Sequence, residues 1–220
     1  MTDLRTERPK TQRTRRLAWA AGVVATAAVV AVVWALGPGS DSSGTAQSPS
    51  AGPLTAERAA ADYVDAYASF DRTRLRSLLA DDASGFWLAL RDYNRADEAI
   101  EFRILPGACS VTGEEVDGTL VSCAFDVHAL GSEQLGRGPY TNNQFLVLVR
   151  DGKVVESEMD FAYDSNGFAG QMWEPFVAWV TKHYPKDVPL MLDGGDARPD
   201  ATSIRLWHRH IAEYVAARSM

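Results

Sequence analysis

The sequence lacks the short motifs that usually identify a reaction. It has no glycine-rich phosphate loop, no nucleophile elbow and no run of closely spaced metal ligands. His208 and His210 lie two positions apart on a predicted helix, so their rings point in different directions and cannot share one metal ion. The sequence therefore predicts no metal site and no cofactor.

Cysteine is also scarce, since Cys109 and Cys123 are the only two. They flank the turn-rich segment GEEVDG, which separates two runs of strand character. A loop of three or five residues centred on Val116 would place the two cysteines opposite each other, whereas a two-residue turn at Asp117-Gly118 would pair Cys109 with Asp126. We predict a disulfide and the longer loop; two buried free thiols are the alternative.

Basic residues are few outside the N-terminal tail. Residues 1–16 carry six basic and two acidic side chains, and the rest of the chain carries 16 basic and 27 acidic ones. An acidic domain is a poor nucleic-acid binder because phosphate contacts require a basic face. We therefore expect no nucleic-acid partner.

Charge is absent altogether from residues 17–36. As a helix this run would span about 30 Å, the hydrocarbon thickness of a bilayer, and Trp19 and Trp34 lie near its two ends. We predict a single transmembrane helix in the cell membrane, with the basic tail 1–16 in the cytoplasm and the following chain extracytoplasmic. The alternative is a cleaved signal peptide, but the run is longer than the usual apolar region and lacks a clear cleavage site.

Residues 37–53 are almost wholly Gly, Ser, Pro and Ala. Such a segment cannot bury a core, so we interpret it as a flexible linker that holds the following domain about 20 to 25 Å from the membrane. Residues 54–218 are long enough for one sizeable core and form the predicted extracytoplasmic domain.

The domain begins with helical periodicity and then changes to alternation. Thr55 and Asp71 can cap two successive helices, and residues 85–96 continue the helical pattern. Four alternating runs follow from Ile100, and Pro106-Gly107 in the first of them requires a bulge. Two apolar helical stripes, in 171–184 and 201–218, close the chain and are expected to pack on the domain. Helices, antiparallel strands and a helical extension indicate an α+β fold.

The last hairpin can be assigned a register, because Asp151-Gly152 is a strong two-residue turn signal. Pairing Arg150 with Lys153 would place Leu148 opposite Val155. One side of the sheet would then be apolar with a few polar groups, as in a small-molecule pocket. The predicted pocket-lining residues are Asn142, Gln144, Leu146, Leu148, Met159, Phe161 and Tyr163.

Two stretches resemble the NTF2-like (SnoaL-like) superfamily. AADYVDAYASFDRTRLRSLLADDA is similar to the opening helical pair of that family, and FLVLVRDGKVVESEMDFAY is similar to its closing strands. The tether and the helical C-terminal extension are similar to those of membrane-anchored actinobacterial proteins of this kind. The resemblance covers residues 54–165 and implies a cone-shaped cavity between N-terminal helices and a curved antiparallel sheet.

Members of that family include isomerases, dehydratases and cyclases as well as binding and assembly modules. Asp126 and His128 are the best candidates here for an acid/base pair, because they share one side of a strand; Asp160 and Asp164 are weaker ones. We interpret the domain as a non-catalytic binding or assembly module. An envelope protein, a homodimer partner and a hydrophobic small molecule all fit it; the alternative is an exported acid/base enzyme acting on such a molecule.

Overall fold

The computed structural model of the chain describes residues 55–219. The predicted tail 1–16, transmembrane helix 17–36 and linker 37–53 lie outside the described residues. Between residues 55 and 219, no helix is both long enough and apolar enough to cross a bilayer.

Three helices open the described chain, as predicted: α1 Ala56–Ala68, α2 Arg72–Leu78 and α3 Ser84–Ala99. The Thr55 hydroxyl accepts a hydrogen bond from the Arg58 amide at 3.3 Å, and the Asp71 carboxylate accepts one from the Arg74 amide at 3.0 Å. Both predicted N-caps are confirmed, because each satisfies an amide that has no partner inside its helix.

Four antiparallel strands follow in sequential order, so the fold is α+β with a simple meander. They are β1 Arg103–Glu115, β2 Gly118–His128, β3 Tyr140–Arg150 and β4 Lys153–Asp160. Helix α1 packs against the inner face of this sheet, where the rings of Tyr63 and Tyr67 contact Phe145 at centroid distances of 6.3 and 5.2 Å. The inner face is the buried one and carries Val121, Cys123, Phe125, Val127, Phe145, Val147, Val149 and Val154.

The disulfide between Cys109 and Cys123 is confirmed, with the Cα atoms 4.0 Å apart. The predicted three- or five-residue loop is wrong, because Glu115 pairs with Gly118 across a two-residue turn. The register shifts between Val111 and Gly113, which adds one residue to β1 and brings the two cysteines opposite each other. A second shift, between Pro106 and Cys109, is the predicted bulge.

The β3–β4 turn at Asp151-Gly152 is also confirmed. Both residues have positive φ, 52° and 73°, as a type I′ turn requires, and Arg150 pairs with Lys153. The predicted register is wrong from Leu148 onward, because a bulge at Val155 places Leu148 opposite Glu156. A shift of one residue moves every following side chain to the other face.

The C-terminal extension begins with a π turn, Ala169–Trp173, which continues into α4 Glu174–His183. Helix α5 Val188–Met191, the short strands β5 Leu192–Asp193 and β6 Asp196–Ala197, and helix α6 Ala201–Arg218 complete the described chain. The two long helices were expected, whereas α5 and the short hairpin were not.

The extension packs on the domain through aromatic rings, as expected. Trp207 of α6 stacks on Trp173 and on Phe176 at centroid distances of 5.8 and 5.3 Å, and Trp173 contacts Tyr163 at 6.3 Å. Trp207 and Phe176 are fully buried and belong to the same core as the inner face of the sheet. The void beside Phe176 and Trp207 is about 10 Å³, at most the size of one water molecule.

Candidate functional site

The structure separates the seven predicted pocket residues. Gln144, Leu146 and Leu148 lie on the outer face of the sheet, half-buried, because the intervening β3 residues point into the core. Asn142 is exposed at a bulge in β3 with φ 65°. The remaining three, Met159, Phe161 and Tyr163, are half-buried and pack against the core.

Asn143, next to the predicted Asn142, is the polar side chain that β3 buries. Its amide nitrogen donates to the carbonyls of Phe125 and Tyr140 at 3.3 and 2.8 Å. Its amide oxygen accepts from the Ala162 amide and from the Asn166 side chain, both at 3.1 Å. Because both ends of the amide are engaged by the protein, Asn143 joins β3 to the segment after β4 and is not free for a ligand.

Asp126 and His128 lie on the outer face of β2, on either side of the buried Val127. His128 Nδ1 is 3.1 Å from the Ser132 hydroxyl, which also accepts a hydrogen bond from the Ala129 amide at 3.2 Å. Ser132 is fully buried. This His–Ser pair therefore stabilises the turn after β2, and it does not present a nucleophile to solvent.

His128 also borders an open cleft of about 340 Å³ at this end of the sheet. Its walls are the ends of α1 and α3, the start of β1 and the loop after β2. The lining residues are Phe70, Glu98, Glu101, Arg103, His128, Ala129, Gly131, Ser132, Glu133 and Gln134. We refer to these residues as the rim cleft.

Both helices end at the rim cleft in the same way. The Phe70 amide bonds to the Tyr67 carbonyl and the Asp71 amide to the Ala66 carbonyl, and α3 repeats this pattern around Glu101. These are Schellman ends, in which the residue after the cap takes the left-handed conformation. Phe70 and Glu101 both have φ 54° at the position where glycine is usual.

The charges of the rim cleft are paired, with one exception. Glu133 pairs with Arg103 at 2.6 Å, and Glu98 pairs with Arg72 of α2. Within residues 55–219, no hydrogen bond or ion pair reaches the Glu101 carboxylate. Partial burial raises the pKa of Glu101, and the neighbouring His208 acts in the opposite direction.

A second polar group lies between α1 and α3, on the inner side of the sheet. The Tyr67 hydroxyl donates to Asp97 Oδ2 at 2.6 Å, and burial raises the pKa of Asp97 to about 6. Burial and the adjacent carboxylate raise the pKa of Tyr67 well above its usual value. A carboxyl and a hydroxyl with shifted pKa values are the groups that acid/base chemistry uses.

Asn94 lies beside this pair and is fully buried. Its amide nitrogen donates to the Tyr67 carbonyl at 3.0 Å, while its Oδ1 atom has no hydrogen-bond partner in the described chain. Neither Asn94 nor Asp97 is among the site residues predicted from the sequence. The available signal was their spacing from Leu90 at i+4 and i+7, which places two polar residues on the apolar stripe of α3.

A third group joins the C-terminal elements. The fully buried His210 contacts Asp187 through Nε2 at 2.9 Å and Glu213 through Nδ1 at 3.1 Å. Burial by itself would raise the pKa of Glu213, but hydrogen bonds from His210 and Tyr184 lower it below its usual value. His208 faces away from this group, toward the Glu98 carbonyl at 3.3 Å. In the part of the chain that the structure describes, no three potential ligands are placed to hold a metal ion.

Comparison with known proteins identifies no relative of this chain. No family model matches the chain, and neither the curated proteins nor the solved structures contain a significant match.

Proposed function

We propose that this protein is a membrane-tethered extracytoplasmic module of NTF2-like fold that binds a ligand or assembles with an envelope partner without catalysing a reaction. The order of elements supports the fold assignment, since helices lead into a meander whose inner face packs on α1. The apolar run 17–36 and the cross-strand disulfide support the location, because disulfides persist in oxidising compartments.

One observation carries the non-catalytic interpretation: aromatic rings fill the space that a cone-shaped cavity would require. Phe161, which follows β4, contacts Phe102 before β1 at 5.2 Å and Phe168, the residue before the π turn, at 5.3 Å. From Tyr163 the contacts continue through Trp173 to Trp207. A substrate would have to displace rings that are packed at contact distance, at the cost of their burial.

The experiment compares uptake of an apolar molecule by the full chain and by Trp207→Ala. Xenon or benzene is added to the protein in detergent, and binding is followed by shifts of the methyl resonances in the protein core. We expect no saturable binding to the wild type and binding to the variant, since large apolar cavities remain dry and accept such probes. Saturable binding to the wild type inside the sheet would contradict the proposal.

A second function is favoured by a specific observation. The Tyr67–Asp97 pair has the chemistry of an acid/base site and lies on the inner side of the sheet, unlike Asp126 and His128. An exported enzyme acting on a hydrophobic molecule would use this pair. In that case Asp97→Asn would remove turnover and leave folding intact, while Asp126→Ala with His128→Ala would leave turnover unchanged.

A further inference from the structure

The C-terminal extension contains a histidine whose side chain is completely buried. His210 lies on α6, and both nitrogens of its ring face a carboxylate: Nε2 is 2.9 Å from Asp187 Oδ2, and Nδ1 is 3.1 Å from Glu213 Oε2. Asp187 lies directly before α5, whereas Glu213 follows one turn later on α6. The ring therefore joins the connection between α4 and α5 to the last helix. We refer to these three residues as the histidine junction.

The geometry of the histidine junction favours one protonation state of the ring. A neutral imidazole has one N–H donor and one lone pair, and an ionised carboxylate only accepts. Two carboxylates can both receive a hydrogen bond only from an imidazolium, which has two donors. A neutral ring would turn a lone pair toward a carboxylate oxygen at 2.9 or 3.1 Å, where no water reaches the ring.

The surrounding charges also favour an imidazolium. Although burial acts in the opposite direction, hydrogen bonds from His210 and Tyr184 lower the pKa of Glu213, so this carboxyl is ionised at neutral pH. Arg209 Nη2 lies 2.6 Å from Asp187 Oδ2 and supplies a positive charge. With a protonated ring the two cations balance the two carboxylates, whereas a neutral ring would leave one carboxylate without a counter-charge.

Arg209 also approaches the ring itself, with Nη2 3.0 Å from His210 Nε2. The same arginine nitrogen lies closer to Asp187 Oδ2, at 2.6 Å. The charge-assisted bond to the carboxylate is the stronger one, so Asp187 accepts from both cations and the short Arg–His distance follows from the shared oxygen atom. The titratable and charged neighbours of the ring are Tyr184 after α4, Asp187 before α5, and Arg209 and Glu213 on α6.

We propose that His210 is a buried imidazolium and that the histidine junction is a pH-sensitive attachment of the C-terminal extension. While the ring carries both protons, it holds the connection between α4 and α5 on α6. Loss of one proton breaks one of the two hydrogen bonds and leaves a lone pair against a carboxylate. In the extracytoplasmic location proposed above, the pH outside the cell sets the strength of this attachment.

The direction of the pH effect follows from this arrangement. The folded protein holds the second ring proton more tightly than an unfolded chain does, so the stability that it supplies is lost as pH rises. An unfolded histidine releases its proton near pH 6.5, so this loss begins above the value of about 6 at which Asp97 ionises. The hydrogen bond to Glu213 raises the pKa of Tyr184, which therefore stays neutral in this range.

The ring nitrogens of His210 test the protonation state directly. The full chain in detergent is labelled with ¹⁵N, and the ring signals are assigned by their loss in His210→Gln. We expect two protonated nitrogens at about pH 7.5, whereas a neutral ring has one protonated and one bare nitrogen with clearly different shifts. A single protonated nitrogen at that pH, with Arg209 donating to Nε2, would overturn the proposal.

Urea unfolding tests the pH dependence. Between about pH 7 and about pH 9 the unfolding equilibrium constant of the wild type should rise about tenfold, the effect of a one-unit difference in proton affinity between the folded and unfolded states. His208→Gln is the matched control, because His208 is exposed on the same helix and contacts the Glu98 carbonyl. It should retain the rise. An equal rise in His210→Gln would assign the effect to other groups and overturn the proposal.

Asp187→Asn separates the charge from the packing, and it keeps the test valid if His210→Gln does not fold. A neutral ring satisfies this variant, with Nδ1–H toward Glu213 and the bare Nε2 toward the new amide. We expect Asp187→Asn to fold, to carry one ring proton at about pH 7.5 and to lose the rise in the unfolding constant. A ring that keeps both protons in this variant, or an unchanged rise, would overturn the assignment.

Discussion

The Tyr67 hydroxyl donates a 2.6 Å hydrogen bond to Asp97 and thereby links the end of α1 to the end of α3. This contact holds a buried carboxyl group with a raised pKa between the two helices. Its consequences for stability can be measured without knowledge of any ligand.

Asp97 should make the stability of the protein depend on pH. Its pKa is about 6 in the folded protein and about 3.9 in an unfolded chain, so the folded state holds the proton more tightly. The free energy of unfolding should then decrease as pH rises from about 4 to about 6 and level off above that range.

Replacement of Asp97 by Asn should remove this decrease, since the amide oxygen still accepts from Tyr67 and cannot ionise. At neutral pH we expect the variant to be more stable than the wild type by on the order of 2 kcal/mol. Urea unfolding across this pH range measures the effect, with the exposed Asp65→Asn as the control. A wild-type decrease that persists in Asp97→Asn would assign it to other groups.

The disulfide should stabilise the domain chiefly by restricting the unfolded chain. Cys109 and Cys123 are separated by 14 positions, and a loop of this size is worth about 3 kcal/mol. Unfolding of the oxidised and the reduced wild type should differ by that amount. Two thiols that react with an alkylating agent before reduction would disprove the bond.

Glycine at position 101 should raise stability. Glu101 has φ 54°, so Glu101→Gly removes a conformational cost of about 1 kcal/mol. Glu101→Ala is the control, because it deletes the same carboxylate and retains the Cβ atom that causes the cost. Equal stabilities of the two variants, measured by thermal unfolding, would show that the left-handed conformation costs nothing at this position.

Trp207 should contribute more to stability than an exposed apolar side chain of the C-terminal extension. It is fully buried, and truncation to Ala should destabilise the domain by about 4 kcal/mol through lost burial and the cavity left behind. Leu190→Ala is the comparison, since Leu190 is 49 % exposed and should change the stability by less than about 0.5 kcal/mol. Similar losses in the two variants would indicate that the extension is not part of the core.

The elements of this fold are readable in the sequence because their signals are local. Thr55, Asp71 and the Asp151-Gly152 pair each act on amides or turns within a few residues, so helix starts and one hairpin follow directly. The disulfide was predicted together with the wrong loop, because an extra residue in β1, and not a longer turn, brings Cys109 and Cys123 opposite each other.

The faces of the strands were harder to predict. Single extra residues form bulges at Thr112 and Val155, and the alternating pattern of the sequence does not reveal them. Each bulge shifts all later residue pairs of its strand. The Tyr67–Asp97 pair joins positions 30 residues apart on two helices. Such a contact depends on how the helices pack, which one sequence does not specify.

Exchange of the Trp207 indole proton with solvent distinguishes a closed aromatic interior from an open cavity. The Trp207 indole nitrogen donates to the Met191 carbonyl at 3.1 Å in a fully buried site. In the full chain we expect its exchange to be as slow as that of the most protected amides of the sheet, because only global unfolding exposes it. Exchange close to the rate of a solvent-exposed indole, slowed by an apolar ligand, would reveal an open cavity and contradict the proposed filled interior.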